Sequence, residues 1–444
     1  MKIQLSDHFS YDRLLRFTLP SIAMMIFTSI YGVVDGFFVS NLAGKTPFAA
    51  VNLIMPVLMI LSTVGFMFGT GGTAIVSMTF GAGHKEQANR YFSLFTYIAL
   101  ALGVVFGILG ILLIRPIASL LGAKGELLEN CCVYARIILM ALPFNVLQLL
   151  FQSFFVAAEK PQLGLAVTVS SGVTNMVLDA VLVTLLPQPY KLAGAAVATA
   201  MSQVVGGAIP LFYFARKNSS ILRLGRTTYD GSAVLKACLN GSSEFMSNIS
   251  MSMVSMLYNL QLLHYAGEDG VAAYGVMMYV SMIFAAAFIG YSIGTAPVVG
   301  YHYGAGDHGE LKSLLRKSLV LVGVFSVCMT AAAELSAVWL AKIFVGYDQG
   351  LMELTVSGFR IFALSFLFMG TAIFGSGFFT ALNDGLTSAL ISFLRTLVFQ
   401  AAAVLLLPLL WGIHGVWASI VVAEAMAVLL TISFLILKKG RYHY

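Results

Sequence analysis

Residues 71–83 read GGTAIVSMTFGAG, and residues 294–306, 223 positions later, read GTAPVVGYHYGAG. Gly81-Ala82-Gly83 returns as Gly304-Ala305-Gly306, Gly71 falls opposite Gly294, and Val76 falls opposite Val299. Outward from there, Ala43-Gly44 and Ala49-Ala50 find Ala266-Gly267 and Ala272-Ala273 at the same offset. Arg136-Ile137 matches Arg360-Ile361 at 224, as Phe155 and Ala157 match Phe379 and Ala381. Gly194 matches Gly415 at 221. Apolar Gly/Ala-rich helices resemble one another by composition alone, but composition does not hold an offset nearly constant through loops. The chain therefore reads as two tandem, related halves: an N-terminal six-helix lobe over 1–215, a basic linker over 216–232 and a C-terminal six-helix lobe with a short tail over 233–444.

Composition says where the halves reside. Hydrophobic residues make up 59% of the chain and charged residues 10%, with a mean hydropathy of +0.91. A soluble domain carries about 25% charge. A chain this apolar cannot cover itself with polar surface, so the bilayer must be its main solvent. The formal net charge of +6 does not point to nucleic acid, because the basic residues cluster in short segments between apolar runs. The four cysteines, Cys131, Cys132, Cys238 and Cys328, show no zinc or disulfide spacing and read as packing residues. No cleavable signal peptide is expected, since the first sixteen residues are mostly polar and the first apolar run is too long for one.

Twelve apolar runs are long enough to cross a bilayer of about 30 Å as helices. They cover 14–39, 48–78, 91–114, 131–156, 163–186, 193–215, 233–264, 270–303, 318–340, 354–381, 386–409 and 412–437. The fold class is thus all-α integral membrane, with two pseudo-symmetric six-helix bundles. Pro20, Pro56, Pro143, Pro297 and Pro408 are candidate kinks or ends. With the N-terminus inside, 17 Lys and Arg residues fall on the inner side, Lys2 among them, against 5 outside. Both termini are therefore expected in the cytoplasm. Six spans per half is an even number, so the halves share one orientation and are related by an axis along the membrane normal.

Of nineteen carboxylates, only Asp35, Asp179, Glu244, Glu334 and Glu424 fall well inside spans. Each costs about 2.5–3.5 kcal/mol near a helix centre, so each should face a cavity or a partner. Asp35 and Asp179 lie at matching depths in spans running the same way. Asn175 shares a helix face with Asp179, as Tyr31 does with Asp35. Two carboxylates, an amide and a hydroxyl could hold Na⁺ through oxygen. They could instead hold a proton, because burial and a like-charged neighbour favour a neutral carboxyl. The plainer role is hydrogen bonding between helices. Glu244 could bind a cationic substrate, relay protons or snorkel to the interface. Glu424 has Gln203 opposite it in the repeat, which suggests a polar helix contact in both halves. Glu334 is expected to reach water, and Arg136 and Arg360 to anchor the outer starts of their spans.

No G-x-x-x-x-G-K-[ST] segment, aspartate-rich pair or H-E-x-x-H motif is present, which argues against ATP hydrolysis and against an enzyme. The histidines show no metal-ligand spacing. The many Phe, Met and Tyr residues are available to line a promiscuous, cation-tolerant cavity, although most of them should face lipid or pack between helices.

At these residues the chain resembles the MATE (multidrug and toxic compound extrusion) family over nearly its whole length. The carriers are Pro20 followed by Val34-Asp35-Gly36, the Gly71-to-Gly83 segment with its echo, Asn175-x-x-x-Asp179, and Gly194-Ala195-Ala196 with Ala198-Thr199. Ser243-Glu244-Phe245 resembles the MepA-like branch. The resemblance implies a V-shaped twelve-helix fold and efflux driven by H⁺ or Na⁺, without a cofactor. It places the cation or proton site at Asp35, Asn175, Asp179 and Thr199. Some members carry an acidic residue in span ten. None stands there in this chain, and Glu244 is the only substitute. The expectation is a monomeric cell-membrane antiporter exporting small amphipathic, often cationic compounds, with lipids as its other partner. The alternatives are a lipid-linked precursor flippase, which should show a strongly basic cavity, a membrane-embedded enzyme, which should show a clustered catalytic motif, and a channel.

Overall fold

The computed structural model describes residues 3–346 and 348–444. Lys2, one of the residues behind the orientation reading, lies outside them. Helices in chain order are α1 (Tyr11–Phe38), α2 (Lys45–Gly81), α3 (Lys85–Leu120), α4 (Gly125–Met140), α5 (Leu142–Ala157), α6 (Pro161–Leu185), α7 (Lys191–Ala215) and α8 (Gly231–Gly304). They continue with α9 (His308–Val345), α10 (Gln349–Ala363), α11 (Phe366–Ala381), α12 (Gly385–Phe393), α13 (Gln400–Trp411), α14 (Ile413–Leu437) and α15 (Lys439–Tyr442). A π-helical stretch, Leu394–Phe399, joins α12 to α13 as one span.

Among the described residues, nine helices are long and apolar enough to cross a membrane, and two bent pairs bring the number to eleven. The bent pairs are α4–α5, at 57°, and α10–α11, at 47°, where the sequence suggested single spans. Pro143, in the first turn of α5, accounts for the first bend. The second bend falls at Leu364 and Ser365, 224 residues after Ala141, without a proline. The twelfth crossing is the first arm of α8, which breaks at Gly267 (φ 62°). That arm is the least apolar crossing because it carries Asn240, Ser242, Ser243, Glu244, Ser247 and Asn248. Pro20, Pro56 and Pro297 sit inside continuous helices. The outer surface is apolar, with Leu112, Leu409, Leu410 and Trp339 all exposed, as lipid contact requires. Cys131 and Cys132 are buried in packing positions, but Cys328 is exposed and does not pack as the sequence suggested.

The duplication reappears as geometry. Three pairs of residues with positive φ stand at the repeat offset: Gly44 with Gly267, Gly83 with Gly306, and Glu159 with Asn383. The contact between the copies is reciprocal as well. A Cβ on Gly81 would overlap the Tyr301 carbonyl, and one on Gly304 would overlap the Met78 carbonyl. Adding 223 to 81 gives 304, and subtracting it from 301 gives 78, so the two contacts are one contact seen from either half. Gly71 pressing on Gly241 and Ala237 is matched by Gly294 pressing on Thr18, at the same offset. Thus α1, α2 and both arms of α8 cross around a local two-fold axis, and only backbones without side chains can approach so closely.

Two hydrophobic cores flank this seam. One gathers buried residues from Val39 to Ala237. The other gathers the second half together with Leu5, Phe9, Leu14 and Phe17 from the start of the chain. Both chain ends lie on one face of the molecule, with the turns after α2, α5, α8 and α11. There Tyr442 packs on Tyr303, and Lys438 donates to Asp384, the N-cap of α12, at 2.7 Å. Burial pushes the Asp384 carboxyl up, but hydrogen bonds from Lys438, Thr387 and Tyr442 outweigh it and hold the group below its ordinary value.

Gly304→Ala should lower the melting temperature of the purified protein, at about 1–3 kcal/mol for overpacking against a backbone. Gly323→Ala on α9, where a Cβ meets nothing, should leave it unchanged. Equal melting of both variants would contradict the close-packed seam.

Candidate ion and substrate site

Five helices of the first half surround one buried polar cluster. Asp35 on α1 is 8% exposed, Asn175 on α6 is 1% exposed, and Asp179, one turn further along α6, is fully buried. Thr199 on α7 links them. Its Oγ1 donates to Asp35 Oδ1 at 3.3 Å and accepts from Asn175 Nδ2 at 3.4 Å. The Asp35 carboxyl also lies beside that of Asp179. Among the described residues, both Asp179 oxygens and Asn175 Oδ1 are buried without a hydrogen-bond partner. A buried carboxylate in that condition is costly unless a cation or a proton accompanies it. Oxygens from two carboxyls, an amide and a hydroxyl suit a hard cation, and either carboxyl alone suits a proton. Among the described residues no group of three His, Cys, Asp or Glu side chains could hold a metal, so any cation here would depend on Asn175 and Thr199 as well.

Small residues let the helices close on this cluster. A Cβ on Gly172 of α6 would run into the rings of Phe27 and Tyr31 on α1. Gly206 of α7 leaves room for the Gln148 amide. Tyr31 reaches toward both Asp35 and Gln148. Gln148 on α5 donates to Ser171 Oγ at 3.2 Å, and Ser171 donates to the Ser202 carbonyl at 2.7 Å. Polar contacts therefore extend from the acidic pair into the helix packing.

Of the six residues singled out from sequence, the structure unites Asp35, Asn175, Asp179 and Thr199, with Tyr31 adjoining. Glu244 stands apart on α8. Its side chain is half-buried and makes no hydrogen bond or ion pair among the described residues. Sequence reasoning missed Tyr134. Its hydroxyl, on α4, is buried with no hydrogen-bond partner among the described residues and faces Thr199 and both carboxyls. Its only signal was a tyrosine within an apolar run.

The second half keeps the packing and changes the chemistry. Asp35 corresponds to Tyr258, which stacks on Tyr274 at 5.1 Å and faces Glu424. Glu424 accepts a hydrogen bond at 2.8 Å from Nε of Arg395, which sits in the π-helical stretch. The polar contact expected at Glu424 is therefore an ion pair, with Arg395 as its partner. On the Gln203 side, Oε1 is buried with no partner among the described residues.

Membrane-spanning helices in two related halves, the first enclosing a buried acidic cluster, are the architecture of a membrane transporter. The MatE family profile matches residues 20–181 and again 245–405, one match in each half. The chain belongs to the MatE family, is a transporter and not an enzyme, and has the V-shaped twelve-helix fold of that family. It is 25% identical over 434 residues to the multidrug export protein MepA of Staphylococcus aureus strain MRSA252, covering 97% of this chain and 94% of that one. It is 24% identical over 438 residues to the MepA of Staphylococcus saprophyticus, with the same coverage. A multidrug resistance MATE family transporter of the MOP superfamily in an outward-facing conformation superimposes with a TM-score of 0.92 at 23% identity, over 98% of this chain and 97% of that one. A MOP superfamily transporter from Pyrococcus furiosus, described as having a binding pocket of reverse polarity, superimposes at 0.90 and 22% identity, over 98% of each chain.

Removing one partner of the Arg395–Glu424 pair should cost about 3–5 kcal/mol, because the other charge is left buried. Melting curves should show Glu424→Gln and Arg395→Met each strongly destabilised and Arg395→Met/Glu424→Met closer to wild type. Additive losses in the double variant would contradict a coupled pair.

Proposed function

We propose that this protein is a secondary active multidrug antiporter that exports small amphipathic, often cationic compounds in exchange for H⁺ or Na⁺. One observation carries the reading: Asp35, Asn175 and Thr199 form a hydrogen-bonded chain beside an Asp179 whose oxygens are buried and unpartnered. The relatives named as multidrug export proteins support the substrate class.

The two lobes, 1–215 and 233–444, rock against each other about the glycine seam, with 216–232 as the linker. Residues 216–232 run along α3, where Asn89 accepts from the Arg223 amide and Thr227 donates to the Arg90 carbonyl. The face holding both chain ends is the cytoplasmic one, as the basic residues suggest. The working unit is a monomer in the cell membrane. An ion entering from outside neutralises the Asp35–Asp179 pair and changes how tightly α1, α6 and α7 pack. Such an ion shifts the outward-open to inward-open balance only through unequal affinity for the two states. Tyr134 and Tyr31 adjoin the pair. Substrate leaves through the cavity between the lobes as the ion descends its gradient. Glu244 on α8 attracts cationic compounds to that cavity.

Efflux of a cationic dye under an imposed H⁺ or Na⁺ gradient tests this. Asp35→Asn and Asp179→Asn should each reduce gradient-driven efflux at least about tenfold, the equivalent of about 1.4 kcal/mol. Glu244→Gln should alter the dye preference more than the ion dependence. Unchanged efflux in both aspartate variants would reject the site. Absence of any gradient-driven dye transport by the wild type would reject the antiporter and favour a flippase.

A further inference from the structure

The residues ahead of α1 are mostly polar, yet Leu5 is 1% exposed and Phe9 is fully buried. Their backbone amides are held by acids from opposite halves. The Leu5 N–H donates to Glu159 Oε1 at 2.9 Å, from the turn between α5 and α6. The Phe9 N–H donates to Glu310 Oε1 at 2.8 Å, in the first turn of α9. The other Glu310 oxygen lies 2.6 Å from His8 Nδ1, and Lys317 of α9 donates to the Phe9 carbonyl. The Phe9 ring packs edge-on against Phe17 and His302. The segment is therefore fixed to the second half by two acceptor bonds, a lysine and a buried ring. It reaches the first half through Leu5.

We propose that residues 3–9 form a strap that latches the two lobes together on the face holding the chain ends, and that its release at Leu5–Glu159 accompanies opening of that face. The inference rests on the alternating-access reading. Three features support it. The strap spans the seam where the backbones of α2 and α8 cross at Gly81 and Gly304, so it restrains separation of the parts that touch there. Its two ends are held by acids of opposite halves, Glu159 for Leu5 and Glu310 for Phe9, so the halves cannot part on this face without breaking one of those bonds. Glu159 has φ 58°, in the turn equivalent to that of Asn383. Asn383 binds across the same seam, accepting from Asn240 at 2.6 Å and donating to the Ala74 carbonyl at 3.4 Å. The two equivalent turns thus each join the halves. One does so through the added strap and the other directly.

The effect should be an equilibrium shift. A hydrogen bond to a charged group is stronger than a neutral one, so losing this one should raise the population open on that face by about tenfold or more. The test is a spin-label distance between Gln87→Cys and Lys312→Cys, on opposite halves of that face, in full-length protein with Cys238 and Cys328 replaced by serine. Glu159→Ala and deletion of residues 2–7 should each add a longer-distance population, and their combination should add little more. Glu159→Gln, whose amide oxygen still accepts but carries no charge, should fall between wild type and Glu159→Ala. Wild-type distances in both Glu159→Ala and the deletion, from monodisperse protein, would overturn the strap, and so would additive effects of the two. Because distance is read without transport, failure of the antiporter reading would appear separately, as absent gradient-driven efflux with the distance shift intact.

Discussion

The molecule depends on a backbone contact without side chains. At Gly81 against Tyr301 and Gly304 against Met78, α2 and α8 approach until a methyl group on either glycine would overlap a carbonyl. In lipid no hydrophobic force drives one apolar helix onto another, so close van der Waals packing of small residues must supply the association. The contact is made twice by one sequence element, since each half contributes the same positions to the other. A duplicated six-helix unit with a self-complementary glycine edge needs no further device to place two bundles about an axis along the membrane normal.

On that shared scaffold the halves diverge. Where the first half has Asp35, with Thr199 and Asn175 bonded toward it, the second has Tyr258 and the ion pair of Arg395 with Glu424. The two solutions respond differently to a mobile ion. A carboxyl pair with unpartnered oxygens needs a cation or a proton from outside. A carboxylate already bonded to a guanidinium carries its own permanent cation and has little need of another. On the proposed antiport mechanism, divergence of this kind lets one lobe respond to an ion gradient while the other keeps its packing fixed. The segment ahead of α1 adds an asymmetry of its own, since Leu5 and Phe9 lie in the second core while the Leu5 N–H is held by Glu159 of the first half.

How much of this was legible in the sequence follows from what is costly. The duplication could be read because positive-φ turns need glycine or a small set of substitutes, so Gly44, Gly83 and their partners kept their spacing. Asp35, Asn175, Asp179 and Thr199 stood out because carboxylates inside spans are rare and expensive. Tyr134 did not, because tyrosine is unremarkable in an apolar helix and only the fold turns its hydroxyl toward the pair. Arg395 was missed as the Glu424 partner because the two lie 29 residues apart in different helices. The bend between α10 and α11 left no proline to find. Leu5 and Phe9 looked like isolated apolar residues in a polar leader, and their burial depends on long-range contacts with α5 and α9.

The central claim is that ion coupling resides in the first half alone. Counting H⁺ or Na⁺ bound per chain by purified wild-type and variant protein tests it most directly. The account predicts one coupling site, lost in Asp179→Asn and retained in Arg395→Met/Glu424→Met. Two sites per chain, or loss of ion binding in the second-half variant with the Asp35 cluster intact, would contradict it.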